Sequence, residues 1–293
     1  MRALVTGSEG FLGRHFAEHL TKNGWLVSGI DVRSQTPMDA RDVFRKWSGP
    51  WDLVVHCAAV VNGRQTIERS PMDQVIDFEL DAAMFRWCME VEVKKVIYFS
   101  SSAAYPIAFQ GGNPYHLKED DIDLYYPELP DALYGWTKLT GEYLAHHARE
   151  AGLDVLVVRP FSGYGEDQDD CYPFPAIIKR AVDREDPIAV WGSGHQTRDF
   201  IHVDDIVRAV MSLSEEGHQG PINIGTSRAT TMLELAKMAA EEVGYEPEFE
   251  MKDSEPSGVM YRVSDSSLLE PIYTPRISLE EGIKRAVRFF SQG

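Results

Sequence analysis

Tyr134 and Lys138 stand four residues apart in the stretch DALYGWTKLTG (131–141), which places them one helical turn from each other. A phenol ordinarily titrates near pH 10, too high for an efficient base at neutral pH. An ammonium one turn away stabilises the phenolate and makes such a phenol a usable proton acceptor. The spacing by itself is common and fits two surface residues equally well. Ser100, Ser101 and Ser102 supply hydroxyls that could orient a reacting alcohol or simply end a strand.

A second constellation lies at the N-terminus. GSEGFLG (7–13) carries Gly7, Gly10 and Gly13 directly after an apolar strand and at the start of a helical pattern. The first glycine permits a tight turn, the second a close approach of backbone to a pyrophosphate, and the third close packing of helix on strand. The backbone N–H groups of Phe11, Leu12 and Gly13 then open a helix whose positive end faces the phosphates. Asp31 follows Gly13 by 18 residues, where a carboxylate would accept hydrogen bonds from an adenosine ribose. That carboxylate repels a 2′-phosphate, so NAD is expected over NADP, although Arg33 could reach such a phosphate.

The elements needed to position these groups are visible as alternation. ALVTG (3–7), WLVSGID (25–31), WDLVVHCAA (51–59), KKVIYFSSS (94–102) and LDVLVVRP (153–160) read as strands. Helical stretches separate them, over Phe11 to Asn23, roughly Pro71 to Glu92, and after DALYGWTK. Strands that are apolar throughout and alternate with helices predict an α/β fold with a Rossmann-type doubly wound parallel sheet. Beyond Pro160 the chain is cut shorter by proline and glycine, which predicts a smaller mixed α/β C-terminal substrate domain. Residues 1–160 are read as the dinucleotide domain and 161–293 as the smaller one. RDFIHVDDIVRAVMSLSEE (198–216), a strand and a helix capped by Asp204 or Asp205, is expected to return to the first.

Composition narrows the partners. The chain has 293 residues, 43% hydrophobic and 26% charged, with 46 acidic against 29 basic residues and a formal net charge of −17. Such a surface repels nucleic acid and anionic lipid, so an anionic ligand needs arginines placed locally to receive it. No apolar run is long enough for a membrane span. Three scattered cysteines and the lack of a leader pattern suit a cytoplasmic protein. The acidic clusters at 119–121 and 167–170 read as solvated loops. His146 and His147 are adjacent and expected to point apart, and no metal site is read from the histidines.

Taken together, the motifs resemble the extended short-chain dehydrogenases/reductases that act on nucleotide sugars. The resemblance rests on GSEGFLG (7–13), HCAA (56–59), FSSSAAY (99–105) and YGWTK (134–138), and continues through RPFSGYG (159–165), GSGHQTRDFIHVDDIV (192–207) and INIG (222–225). It implies that Tyr134 and Lys138 are the catalytic pair, with Lys138 also holding the nicotinamide ribose. Counting four back from Tyr105 picks Ser101 as the orienting hydroxyl, with Ser102 the second choice. By position, Asp39 and Ala40 resemble the adenine pocket, Ala58 and Ala59 a cofactor-lining backbone, and Ser162 a substrate contact. Arg198 and Arg262 resemble two arginines that clamp a nucleotide diphosphate, a role suited to guanidinium geometry. Either could instead be a plain surface ion-pair residue. The family often has Asn where Ser162 and Asp77 stand here. A homodimer through the helices near 71–92 and 134–150 is also implied, with Met84, Phe85, Trp87 and Met89 offering apolar surface unless they face the sheet.

The reaction is narrowed by what is absent. The 4,6-dehydratases of this family follow their catalytic hydroxyl with an Asp-Glu pair, and the 3,5-epimerases place a cysteine where Ala103 stands here. Here those positions hold Ser102 and Ala103. A 4-epimerase, which turns a transient 4-keto sugar over and reduces it on its other face, needs neither. A nucleotide-sugar reductase or oxidase is the alternative, and a non-catalytic nucleotide-binding protein is a third reading that intact Ser101, Tyr134 and Lys138 disfavour.

Overall fold

In the computed structural model, which describes residues 1–61 and 63–292, a six-stranded sheet forms the centre. It comprises β1 (Arg2–Thr6), β2 (Leu26–Ile30), β3 (Leu53–His56), β4 (Val96–Phe99), β6 (Val155–Pro160) and β11 (Ile222–Ile224). The spatial order is β11-β6-β4-β3-β1-β2, with every pairing parallel. The order reverses beside β1, and it is at such a crevice that doubly wound sheets bind ligands.

The strands are apolar throughout because both faces are covered. Ala3, Val5, Val55, Ile97 and Val158 face one layer. That layer is built from α1 (Phe11–Lys22) through Phe16 and Leu20, and from α7 (Val203–Glu215) through Ile206 and Val210. Leu4, Val54, Val96 and Val157 alternate to the other face. There they meet α2 (Ala40–Lys46), α4 (Val75–Glu90) and α5 (Ala132–Glu150). A short α3 (Arg64–Arg69) precedes α4.

The remaining elements form a smaller mixed region. β8 (Ile188–Trp191) pairs in parallel with β13 (Phe249–Lys252). β14 (Tyr261–Ser264) pairs with β5 (His116–Leu117) and with β9 (Thr197–Arg198), which also meets β12 (Thr230–Thr231) antiparallel. β7 (Ser162–Tyr164) and β10 (Phe200–His202) make a separate parallel pair. Helices α6 (Pro173–Val182), α8 (Met232–Val243) and α9 (Leu279–Gln292) enclose their own apolar cluster around Phe174, Leu235 and Ile283. Among the described residues no helix is long and apolar enough to cross a membrane.

Several local expectations are corrected. α7 is capped by His202, whose Nδ1 accepts from the Asp204 N–H at 3.1 Å, and not by Asp204 or Asp205. Asp205 is buried and receives the Tyr273 hydroxyl at 2.6 Å and the Ile277 N–H at 2.8 Å. Glu119 is no solvated loop residue: it is buried and accepts the Asn223 N–H at 2.8 Å. Met84, Phe85 and Trp87 face the core beneath α4, leaving Met89 as the partly exposed member of that set. His146 and His147 do not diverge, because Glu150 draws both rings toward itself at 3.5 and 2.9 Å.

Candidate active site

A cavity of about 960 Å³ runs from the carboxyl ends of β1 and β2 to the smaller region. At its first end Gly7 holds a left-handed φ of +66°, and a Cβ there would lie 2.8 Å from the Ala58 nitrogen. A Cβ on Gly13 would collide with the Gly7 carbonyl, so the helix can approach the strand only with glycine at this position. Gly10 caps α1 without a side chain, and the first turn holds no acidic residue. The N–H groups of Phe11, Leu12 and Gly13 therefore present an unneutralised positive helix end to the cavity.

Asp31 is buried at the end of β2 and accepts the Glu9 N–H at 3.0 Å and the Arg33 N–H at 2.8 Å. The Arg33 guanidinium folds back toward it, with Nε 3.5 Å from the carboxylate. Asp39 caps α2, accepting the Arg41 N–H at 2.9 Å, and its other oxygen takes the Arg41 guanidinium at 2.7 Å. Asp39 and Ala40 both line the cavity, but much of the Asp39 carboxylate is already engaged. This glycine cradle, open helix end and strand-end carboxylate fit a dinucleotide.

Tyr134 and Lys138 lie on one face of α5 and both reach the middle of the cavity, where Ser101 also sits. The Lys138 ammonium lies 5.8 Å from the centre of the Tyr134 ring and 5.7 Å from that of Tyr98. Among the described residues it has no ion-pair partner, and it is buried. Burial works against its charge, yet its interactions with Tyr134, Asp81 and Asp77 outweigh that and hold its pKa above the ordinary value. The wall behind it carries a chain of hydrogen bonds, and among the described residues the buried Asp77 Oδ2 there is left without a partner. The Ala58 N–H donates to Thr6 Oγ1 at 3.1 Å, Thr6 meets His56 Nδ1 at 2.8 Å, and His56 Nε2 meets Asp81 at 3.2 Å. Asp77 accepts the Val60 N–H at 2.7 Å, and burial pushes its carboxyl pKa up.

At the far end the arginines converge. Arg198 donates to the carbonyls of Val259 and Ser257 at 2.8 and 3.0 Å, and among the described residues it meets no carboxylate. Burial, with Arg262 and Arg64 nearby, lowers its pKa to about 9. A guanidinium in this state is an uncompensated charge that an anion would relieve. Arg262 is not a plain surface residue: it donates to Gln110 at 2.5 Å and to Asp131 at 2.7 Å beside the cavity. Over the top, Asp167 is held by Arg14 at 2.7 Å and His15 at 3.1 Å, and the acidic loop 167–170 lines the cavity while Asp167, Asp169 and Asp170 stay exposed.

Every cofactor and substrate residue expected from the sequence lines this one cavity except Ser102. Ser101 accepts the Ala103 N–H at 3.1 Å, which starts a tight turn at Ser102–Ala104 and carries Ser102 inward, where it is buried. Ser162 lines the cavity from β7, with its N–H donating to the Asp199 carbonyl at 2.9 Å. Arg64 and Asp131 also line it and were not anticipated, since nothing in their local sequence marks them.

A doubly wound parallel sheet, a glycine cradle and a Tyr–Lys pair on one cavity wall define a dinucleotide-binding protein of the short-chain dehydrogenase/reductase type. The chain belongs to the NAD dependent epimerase/dehydratase family, whose model matches residues 3–225. It is 29% identical to a dTDP-4-dehydro-6-deoxy-D-allose reductase of a Streptomyces species, over 98% of this chain and 95% of that protein. Among solved structures it superposes on a UDP-glucose 4-epimerase of Thermotoga maritima holding UDP-glucose, with a TM-score of 0.86 and 29% identity over 100% of this chain and 99% of that one. A UDP-glucuronic acid 4-epimerase of Bacillus cereus, solved with UDP-glucuronic acid and NAD, superposes with a TM-score of 0.83 and 25% identity, covering 100% of this chain and 99% of that one.

Proposed function

We propose that this protein is an NAD-dependent nucleotide-sugar 4-epimerase. The observation that carries the reading is the placement of Tyr134, Lys138 and Ser101 on the middle wall of a cavity, between the glycine cradle and the arginines. Gly7, Gly10, Gly13 and the N–H groups of Phe11 and Leu12 would hold the pyrophosphate, Asp31 the adenosine ribose, and Asp39 and Ala40 the adenine edge. Ala58 and Ala59 would back the nicotinamide half, whose ribose Lys138 would hold. NAD, when bound, supplies a hydride acceptor that can return the hydride.

The residues of the chain do the rest. Ser101 orients the sugar hydroxyl, and Tyr134 removes its proton and later returns one. Lys138 stabilises the phenolate as it forms. Arg198 and Arg262 receive the diphosphate, with Ser162 beside it, leaving the sugar free to present either face. Elimination or epimerisation at a neighbouring carbon would need a further acid–base group, and Ala103 supplies none. Of the thiols lining the cavity, burial raises the pKa of Cys57 to about 12, and burial with Asp169 raises that of Cys171 to about 11, which leaves both protonated at neutral pH and poor bases. The chain is further proposed to form a homodimer through α5, beside which Tyr125, Tyr126 and Leu129 are exposed; sedimentation tests this.

The decisive experiment incubates purified protein with UDP-, GDP- and dTDP-sugars and identifies products by NMR and mass spectrometry. A 4-epimer formed without net change at 340 nm supports the proposal. A steady absorbance change tied to product identifies a reductase or oxidase instead, the reading favoured by the Streptomyces relative.

A further inference from the structure

Asp131 stands at the N-terminal end of α5, where a short polar side chain ordinarily turns back onto the free N–H groups of the helix. It makes no such bond. Its buried carboxylate instead accepts Arg64 Nη1 on both oxygens, at 2.9 and 2.8 Å, and Arg262 Nη2 at 2.7 Å. Burial opposes its ionisation, but Arg262 and Arg64 outweigh that and hold the carboxyl below its ordinary range. Arg64 also donates to Glu68 at 2.6 Å.

The backbone around Asp131 is equally constrained. Its N–H donates to the Ala103 carbonyl at 3.0 Å, and its own carbonyl accepts the Gly135 N–H at 3.0 Å. A Cβ on Gly135 would strike the Ala103 carbonyl, so α5 lies as close to this loop as the chain permits. Between them Ala132 holds a φ of +58°, left-handed and unfavourable for alanine. Such a residue persists only where its surroundings over-determine it. Tyr134 follows two positions later.

We propose that Asp131 is a positioning residue for Tyr134: its double ion pair to Arg64 and Arg262 holds the left-handed Ala132 that opens α5 and so aims the phenol. One carboxylate then sets both the guanidinium that meets the anionic half of the substrate and the phenol that meets its sugar. The part concerning substrate rests on the function proposed above, while the placement of the phenol can be read without substrate.

The test is the titration of Tyr134, followed at 295 nm as the difference between the protein and its Tyr134→Phe variant, with and without Asp131→Asn. Removing a nearby negative charge alone lowers a phenol's pKa, whereas moving the phenol away from Lys138 raises it. The expected result is a rise of about one unit in the Asp131→Asn protein. A fall or no change overturns the proposal and leaves Asp131 a charge partner of the arginines only. Should Asp131→Asn fail to fold, Arg64→Ala, at a partly exposed residue, decides by steady-state kinetics. A loss of roughly tenfold in kcat with KM little changed supports positioning, and a rise confined to KM refutes it. If the wild-type chain epimerises no sugar, the proposed function falls, yet the titration still decides whether Asp131 positions Tyr134.

Discussion

Glu142 on α5 and Arg159 on β6 form a buried ion pair through two bonds, at 2.8 and 2.6 Å. Ser100 donates to the same carboxylate at 2.5 Å. Arg159 extends the network to the Tyr105 hydroxyl at 3.0 Å, which in turn donates to Asn223 at 2.6 Å. The network thus fastens the helix bearing Tyr134 and Lys138 to β6, to β11 and to the residue that follows β4. Glu142→Gln preserves shape but leaves the Arg159 charge without its counterion, which costs about 3–5 kcal/mol. For a chain of 293 residues, an unfolding entropy of about 2.1 cal/mol/K per residue amounts to about 0.6 kcal/mol/K. The expected fall in Tm is therefore ~5–8 °C by calorimetry. Replacing both partners, Glu142→Leu with Arg159→Met, removes the stranded charge and is expected to recover most of that loss. A single-variant shift below about 2 °C, or a double variant as unstable as the two singles combined, refutes the assignment of the cost to an uncompensated charge.

Tyr134→Phe is expected to lower kcat by about 10²–10⁴ while leaving NAD affinity within a few-fold, read by product assay and by cofactor titration. Retained turnover would remove Tyr134 from the mechanism. Asp131 and Asp167 both titrate below the ordinary carboxylate range, in each case because their cationic neighbours outweigh burial. Folded pKa values below the unfolded value of about 3.9 mean that their contribution to stability is present above that pH and is lost as the pH falls through the folded values. A Tm profile from pH 6 to pH 2 should decline below about pH 4, less steeply in Asp167→Asn, and parallel profiles would contradict the pairing. Burial raises the pKa of Cys171 to about 11 and of Cys57 to about 12. Alkylation by iodoacetamide, followed by mass spectrometry, should be slow at pH 7 and accelerate toward pH 10; rapid labelling at neutral pH would show a thiolate where none is expected.

How far the sequence revealed this protein follows from the range of the interactions involved. The sheet was legible because each strand obeys a local rule, apolar on both faces and bounded by a turn, and the glycine cradle because its three glycines are needed within a single turn. Tyr134 and Lys138 gained meaning from flanking motifs and not from their spacing. The misreadings were of residues whose role depends on distant partners. Glu119 looked solvated because Asn223, 104 residues on, is invisible to a local reading, and His202 displaced two aspartates as cap once Asp205 was drawn to Tyr273, 68 residues away. Ser102 lay one position along a tight turn that its neighbour Ser101 itself caps.

The far end of the cavity makes the same argument about function. Arg64 and Asp131 are separated by 67 residues and Asp131 and Arg262 by 131, so no window of sequence contains the group they form. Charge alone would place Asp131 among the many acidic residues of a strongly negative chain. Its burial between two guanidiniums is what distinguishes it, because an ionised carboxylate there persists only if both arginines remain beside it. A substrate diphosphate that meets Arg198 and Arg262 together relieves the repulsion between them and so steadies the guanidinium that holds Asp131, and through it the start of α5. If that coupling holds, substrates lacking the diphosphate should lose kcat as well as affinity, since the anion contributes to the geometry of Tyr134 and not only to binding. Comparing kcat for a nucleoside-diphosphate sugar with that for the free sugar at saturation measures it, and equal values would show the two ends of the cavity to be independent.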